Sequence, residues 1–286
     1  MPAHWQTTRY CIDLSRPQVM GIVNVTPDSF SDGGRHGSTR AALSHCERLV
    51  AEGADILDIG GESTRPGATA PSAEDEAARV MPVIEGALRL GVPVSVDTSE
   101  PLVMQQALAL GVDIVNDVRA LRRPGALACV AGHRSAGVCL MHMRGEPDTM
   151  QTMTDYADVV AEVALWLRER AAAVGAAGID AQRLLLDPGI GFAKGPEDNL
   201  RLLRAQRELT AAVPRPLLVG WSRKGTLGLI TGRPVGERLA ASVAAALAAV
   251  HHGAAVVRVH DVAATVDALK VWQAAQATPM HSPTGA

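Results

Sequence analysis

Eight times along the chain, a short run of β-branched and aliphatic residues gives way to a polar loop and then to an Ala- or Leu-rich stretch with helical spacing. The strand-like runs are Val19–Val25, Ile56–Gly60, Pro93–Asp97, Asp113–Asp117, Gly137–His142, Arg183–Asp187, Pro216–Gly220 and Ala255–His260. Helix-like stretches follow them at Ser38–Glu52, Ser72–Leu90, Pro101–Leu110, Pro124–Ala131, Asp155–Gly175, Asn199–Ala212, Gly236–His252 and Ala263–Ala275. Ser72 with Asp75 forms a capping pattern, Pro101 and Pro124 suit first-turn positions, and Gly53, Gly91, Gly111 and Gly253 stand where helices should stop. The strand runs are continuously apolar rather than alternating, which predicts strands buried on both faces. Eight β-α units in 286 residues predict an α/β chain with a single closed (β/α)8 TIM barrel. A doubly wound open sheet is the rival. The domain reading is an N-terminal cap over 1–16, the barrel over 17–277 and a disordered tail over 278–286.

Composition narrows the functional classes. Aromatic residues make up 3%, so Ala, Val, Leu and Ile must build the core, which suits a parallel sheet wrapped by helices. The net charge of −3 argues against a dedicated nucleic-acid binder or a polybasic membrane binder. No apolar run approaches the ~20 residues that span a bilayer, and the N-terminus has no secretory apolar segment. Cys11, Cys46, Cys129 and Cys139 are scattered and form no CxxC, so reduced thiols and a cytoplasmic location are expected.

Nearly every strand ends in a polar side chain. The ends carry Asn24, Asp58, Asp97, Asn116, His142, Asp187, the Ser222-Arg223-Lys224 run, and Arg258 with His260. Such residues are poor strand formers. One would be an ordinary loop cap; eight point to a pocket at the C-terminal face, where barrel enzymes work. Asp97, Asn116 and Asp187 come from three strands and suit the donors and acceptors of a flat heterocycle. Arg258 and His260 lie two apart, share a strand face, and suit a phosphate or pyrophosphate. Lys224 falls where the seventh strand meets the seventh helix, and suits an anion or a ring carbonyl.

Two loops add to this, Asn24–Gly34 and Gly60–Gly67. Phe30, one of two phenylalanines, and Arg65 stand in these otherwise polar segments, placed to cover a ring and to hold phosphate. No GxGxxG, GxxxxGK[ST], HExxH or GxSxG motif is present, so NAD, P-loop and zinc-protease chemistry lack support. The residues by themselves describe a barrel enzyme for a flat polar ring beside an anion, and leave the ring unnamed.

The run Met20-Gly21-Ile22-Val23-Asn24-Val25-Thr26-Pro27-Asp28-Ser29-Phe30-Ser31-Asp32-Gly33-Gly34 closely resembles a hallmark of the dihydropteroate synthase family. So does Ile59-Gly60-Gly61-Glu62-Ser63-Thr64-Arg65-Pro66-Gly67. The segments Ser95–Thr98, Val115–Asp117, Leu140–Met143, Leu186–Phe192, Ser222–Lys224 and Arg258–Val262 agree in order, so the resemblance spans roughly residues 12–275. Two departures stand out. Ala193 occupies a position where the family often has Gly, and Trp221, just before Ser222, is a candidate to alter the pocket wall.

The resemblance implies a transferase of folate synthesis that joins 6-hydroxymethyl-7,8-dihydropterin diphosphate to 4-aminobenzoate. The expected products are 7,8-dihydropteroate and diphosphate, with magnesium as cofactor, sulfonamides as inhibitors and a homodimer as the assembly. By position, Asp97, Asn116, Asp187 and Lys224 would bind the pterin, Met141, Phe192 and Gly220 would line its slot, and Arg258 would stack over it. Asn24 would ligate magnesium. Thr64, Arg65, Arg258 and His260 would hold the diphosphate, and Phe30, Thr64, Pro66, Phe192 and Ser222 would shape the aminobenzoate pocket. Arg65, Lys224, Arg258 and His260 form the expected catalytic set, with no covalent nucleophile. The two loops are expected to order once diphosphate and magnesium bind. The alternatives are a pterin-binding paralogue without synthase activity and a methyltetrahydrofolate–corrinoid methyltransferase.

Overall fold

β-Branched and aliphatic runs favour extended backbone, and here they pair side by side. The computed structural model describes residues 4–26, 34–63 and 70–276. Strands β1 (His4–Gln6) and β2 (Cys11–Asp13) form an antiparallel hairpin. Eight further strands are β3 (Gln18–Asn24), β4 (Ile56–Gly60), β5 (Val94–Asp97), β6 (Ile114–Asp117), β7 (Gly137–Met141), β8 (Leu184–Asp187), β9 (Leu217–Val219) and β10 (Ala254–Val259). They close into one barrel in that sequence, with β10 pairing back onto β3 and every pairing parallel. The fold is the expected TIM barrel, and each expected strand lies within one residue of its observed ends.

The helices are α1 (Gly34–Ala51), α2 (Ala73–Ala87), α3 (Pro101–Leu110), α4 (Ala126–Gly132), α5 (Val159–Ala176), α6 (Pro196–Arg204), α7 (Gln206–Ala212), α8 (Gly225–Thr231), α9 (Leu239–His251) and α10 (Val262–Gln276). Ser72 caps α2 by accepting the Asp75 N–H, and Gly53, Gly91, Gly111 and Gly253 all have positive φ, as the stop signals required. The structure corrects several details. Pro124 lies outside α4, whose N-cap is the left-handed Gly125. The helix expected from Asp155 starts at Val159, where Asp158 accepts the N–H groups of Val160 and Ala161. The stretch read as one helix over Asn199–Ala212 is two helices joined at Ala205. The short helix α8, absent from the sequence reading, stands between β9 and the long α9.

Alternate strand residues face the barrel axis and the helix layer. Val23, Leu57, Ile59, Val96, Val115, Leu140, Leu186, Val219 and Val257 pack outward in the main core against the helices. Met20, Ile56, Ile114, Cys139, Leu185, Leu218 and Val256 form an apolar layer inside the barrel, joined by Trp5 and Ile12 from the hairpin. The hairpin lies under the N-terminal end of the barrel. Trp5 donates its Nε1–H to the Arg183 carbonyl at 2.8 Å, and the Arg9 guanidinium pairs with buried Asp113 at 2.5 Å. Two residues further along the same inward faces, four of the strands turn polar, with Asp58, Asn116, Asp187 and Arg258. Among the described residues no helix is long and apolar enough to cross a membrane.

Candidate active site

Strand periodicity builds the polar layer. Asp58 stands two residues after Ile56, Asn116 two after Ile114, Met141 two after Cys139, Asp187 two after Leu185, Gly220 two after Leu218 and Arg258 two after Val256. Asp97 joins them from β5, in register with Asn116 and Gly60. Arg258 reaches across this layer. Its Nε donates to Asp58 Oδ2 at 2.6 Å and its Nη2 to Asp97 Oδ2 at 2.7 Å. Asn116 Nδ2 donates to the same Asp58 oxygen at 3.1 Å, while Asp58 Oδ1 is buried without a hydrogen-bond partner. Asp58 is fully buried, and Arg258 and Asn116 are the donors that meet its Oδ2. Burial pushes the Asp97 carboxyl upward; Arg258 opposes this and Asp58 adds to it.

The segment after β8 brings the next groups in. Asp187, 8% exposed, accepts the Gly189 N–H at 2.7 Å. Burial pushes its carboxyl up to about 6, against the Gly189 N–H and the charges of Lys224 and Lys194. Burial draws the Lys224 ammonium down to about 8, opposed chiefly by Asp187. Lys224 Nζ lies 4.2 Å from the centre of the Phe192 ring, a cation–π contact. Phe192 packs with the cluster of Val118, Met141, Met143, Met150 and Ala193. The sequence therefore located a carboxylate, an ammonium, an aromatic face and a thioether that the fold does bring together.

Ser222 and His260 meet at the far wall. Ser222 Oγ lies 2.9 Å from His260 Nδ1 and accepts the His260 backbone N–H at 3.2 Å. Burial, with Arg223 and Arg258 adding, holds the imidazole down to about 3, so it is neutral, and its tautomer sets the direction of the hydrogen bond shared with the Ser222 hydroxyl. Arg223 has φ +59°; its backbone N–H donates to Ser242 Oγ and its guanidinium pairs with Asp261 at 2.6 Å. The helix that begins beside Ser222 is α8, with Lys224 as its N-cap, and not the long α9 that the sequence reading placed there. Trp221 points away from the pocket into the main core, 2% exposed. Asn24, partly buried, ends β3 in register with Gly60. Phe30, Thr64, Arg65 and Pro66 lie outside the described residues, as do the parts of the two loop hallmarks that contain them.

Other buried polar groups escaped the sequence reading. Asp58 reads there only as a strand-end carboxylate. Arg119, 4% exposed, makes a two-pronged pair with Glu62 at 3.1 Å and a further contact with Glu146 at 2.5 Å, tying the ends of β4, β6 and β7 together. Lys194 is buried beside His142, and Asn199 joins the β8 segment to Thr226 of α8. Apart from the strand-end position of Asp58, none had a sequence signal beyond being polar, because their defining partners include residues 27 to 200 positions away.

Comparison with known proteins places the chain in a family. The profile of the family described as pterin binding enzyme matches residues 20–260. A dihydropteroate synthase of Neisseria meningitidis serogroup B is 54% identical over 275 residues, covering 94% of this chain and 96% of that one. The structure of Xanthomonas albilineans dihydropteroate synthase with 4-aminobenzoic acid is 55% identical and superposes with a TM-score of 0.88, covering 94% of this chain and 96% of the other. That of the Yersinia pestis enzyme with a sulfonamide drug is 45% identical, with a TM-score of 0.90 and coverages of 96% and 99%. With the family profile matched over residues 20–260 and identity sustained along nearly its whole length, the chain belongs to the pterin binding enzymes and, among them, to the dihydropteroate synthase family.

Proposed function

We infer that this chain carries the family's reaction. 6-Hydroxymethyl-7,8-dihydropterin diphosphate condenses with 4-aminobenzoate to give 7,8-dihydropteroate and diphosphate. The observation that carries the reading is the convergence of Asp97, Asn116, Asp187 and Lys224 around Arg258, in a chain 54% identical to a named synthase. Carboxylates at Asp97 and Asp187 accept from the ring's N–H groups, while Asn116 and Lys224 supply donors to its acceptors. Met141, Gly220 and Phe192 form the slot, and Arg258 covers it. Ser222, beside the start of α8, takes the aminobenzoate carboxylate, with Phe192 as a shared wall.

The aromatic amine nitrogen forms a bond to the pterin methylene carbon as that carbon's bond to diphosphate oxygen breaks. The oxygen leaves with the electron pair, and the amine gives up one proton. The pterin ring is electron-rich and spreads positive charge developing on the methylene. The protein must therefore orient the ring, meet the leaving charge and exclude water. Arg258 and His260, with Arg65 outside the described residues, meet that charge. An arriving diphosphate favours the protonated form of His260. No nucleophilic side chain is required.

The family's magnesium suits what β3 offers. Asn24 supplies a hard carboxamide oxygen, and among the described residues no group of three or more His, Cys, Asp or Glu could cage a metal. One protein oxygen, with phosphate oxygens and water, is a usual way to hold magnesium. When bound it would neutralise diphosphate charge.

The assembly proposed is a homodimer. The Ala-rich face of α9 is spent on the chain's own barrel, through Ser242, Ala245, Ala246, Ala249 and Val250. Leu229, Ile230, Val235 and Leu239, 71%, 59%, 56% and 47% exposed, follow one another along α8 and into α9 and offer an apolar patch.

The deciding assay is diphosphate release from the pterin diphosphate and magnesium, with and without 4-aminobenzoate. Release that needs aminobenzoate and is blocked by a sulfonamide is the expected outcome. Tight pterin binding without release would instead favour the paralogue or the methyltransferase. Asp187→Asn should lose pterin binding and Arg258→Ala should lose turnover; unchanged activity in both would undo this site.

A further inference from the structure

Residues 187–195 fold around a buried lysine that no step of the reaction uses. Lys194 is 3% exposed. Its Nζ lies 2.9 Å from the Phe192 carbonyl, 3.1 Å from that of Gly189 and 3.4 Å from that of His142, and 2.9 Å from His142 Nδ1. None of these partners is a carboxylate. Burying an ammonium is costly unless its donors are all met, and a methionine would fill the same space without that cost. The backbone shows what the charge is needed for. Gly189, Gly191 and Ala193 all have positive φ, at +69°, +79° and +52°. That compound turn aims the Gly189 and Phe192 carbonyls at the Lys194 amino group, which donates to both; burial draws its ammonium down to about 7, with Asp187 opposing.

We propose that Lys194 is a positioning residue: its ammonium is the internal ion that sets the β8 segment so that Asp187 and Phe192 meet the pterin. The proposal rests on the functional reading above. The segment is linked to the site at every turn. Gly189 N–H holds the Asp187 carboxylate, and Phe192 N–H donates to the Gly189 carbonyl that Lys194 also binds. A methyl group on Gly191 would stand 3.2 Å from Lys224 Cδ. The other anchor is rigid. His142 is 2% exposed, packs edge-on against Trp166 at 5.0 Å, and donates its backbone N–H to the Asp187 carbonyl at 2.9 Å. Burial, with Lys194 adding, holds its imidazole down to about 2, so it stays a neutral acceptor for the ammonium.

The test compares Lys194→Met, which keeps the bulk and removes the charge, with Lys194→Ala, which leaves a cavity. Pterin diphosphate affinity is read by calorimetry and folding by thermal melts. Both variants should fold and bind the pterin at least tenfold more weakly. Ethylammonium should restore most of the affinity to Lys194→Ala and none to Lys194→Met. A Lys194→Met affinity within twofold of the parent would overturn the proposal. So would absence of rescue in Lys194→Ala, or failure of both variants to fold, since either makes the role purely structural. If the parent chain itself bound no pterin, the functional reading would fall and this proposal with it; a binding parent with an indifferent Lys194→Met would sink the proposal alone.

Discussion

Glu76 shows how single buried charges set the behaviour of this barrel. It is 1% exposed, its Oε1 has no hydrogen-bond partner, and it lies against Gly61 at the end of β4. Burial pushes its carboxyl up from 4.5 to about 7, with the Thr98 hydroxyl opposing and Glu62 adding. Between those two values the folded chain holds a proton that the unfolded chain has released, so stability falls as pH rises through the window. The penalty is complete above about pH 7. Glu76→Gln should therefore stabilise the protein by up to roughly 3 kcal/mol at pH 8 and change little at pH 5; denaturant melts at both values decide it, and an equal shift at both would refute the account. Glu76 could not be picked out beforehand, because its place in the α2 helical pattern reads as a solvated acid. Asp97, Asn116, Asp187 and Arg258 could, because a polar residue ending an apolar strand contradicts local propensity and so announces a task.

At the level of elements, the strands were legible because eight aliphatic runs leave few alternatives. Helix α8 was not. It spans Gly225–Thr231 and holds two glycines and two threonines, too short and too poor in helix formers to show a period. It forms because packing holds it: Thr226 receives the Asn199 amide, and the Arg238 guanidinium donates to the carbonyls of Arg223 and Lys224. The β8 segment is likewise fixed by contact rather than by propensity. Gly189 has φ +69°, and a methyl group there would fall 2.0 Å from the His142 carbonyl oxygen. Gly189→Ala must push the segment off β7. A loss of about 1–3 kcal/mol in stability is expected, together with a raised KM for the pterin diphosphate. Parent-like values for both in a purified variant would show that the segment has slack its contacts do not suggest. At Ala193, where the family often has Gly, the left-handed backbone (φ +52°) gives the physical reason for that preference.

For the whole molecule, the exposed side chains of Leu229, Ile230, Val235 and Leu239 predict self-association. Leu229→Glu combined with Ile230→Glu should convert a dimer to a monomer in sedimentation or light scattering while the circular dichroism stays that of the parent. A parent chain that is monomeric at micromolar concentration would refute the proposed assembly. The hairpin beneath the barrel has a different consequence. With Trp5 and Ile12 packed against the apolar layer, the hairpin backs the barrel interior at its N-terminal end, so among the described residues the polar layer has a closed floor. Under the proposed function, a pterin resting on Asp97, Asn116 and Asp187 would arrive before an amine that lies above it, and the joined product would withdraw ring last, so a closed floor would set a queue for the two substrates.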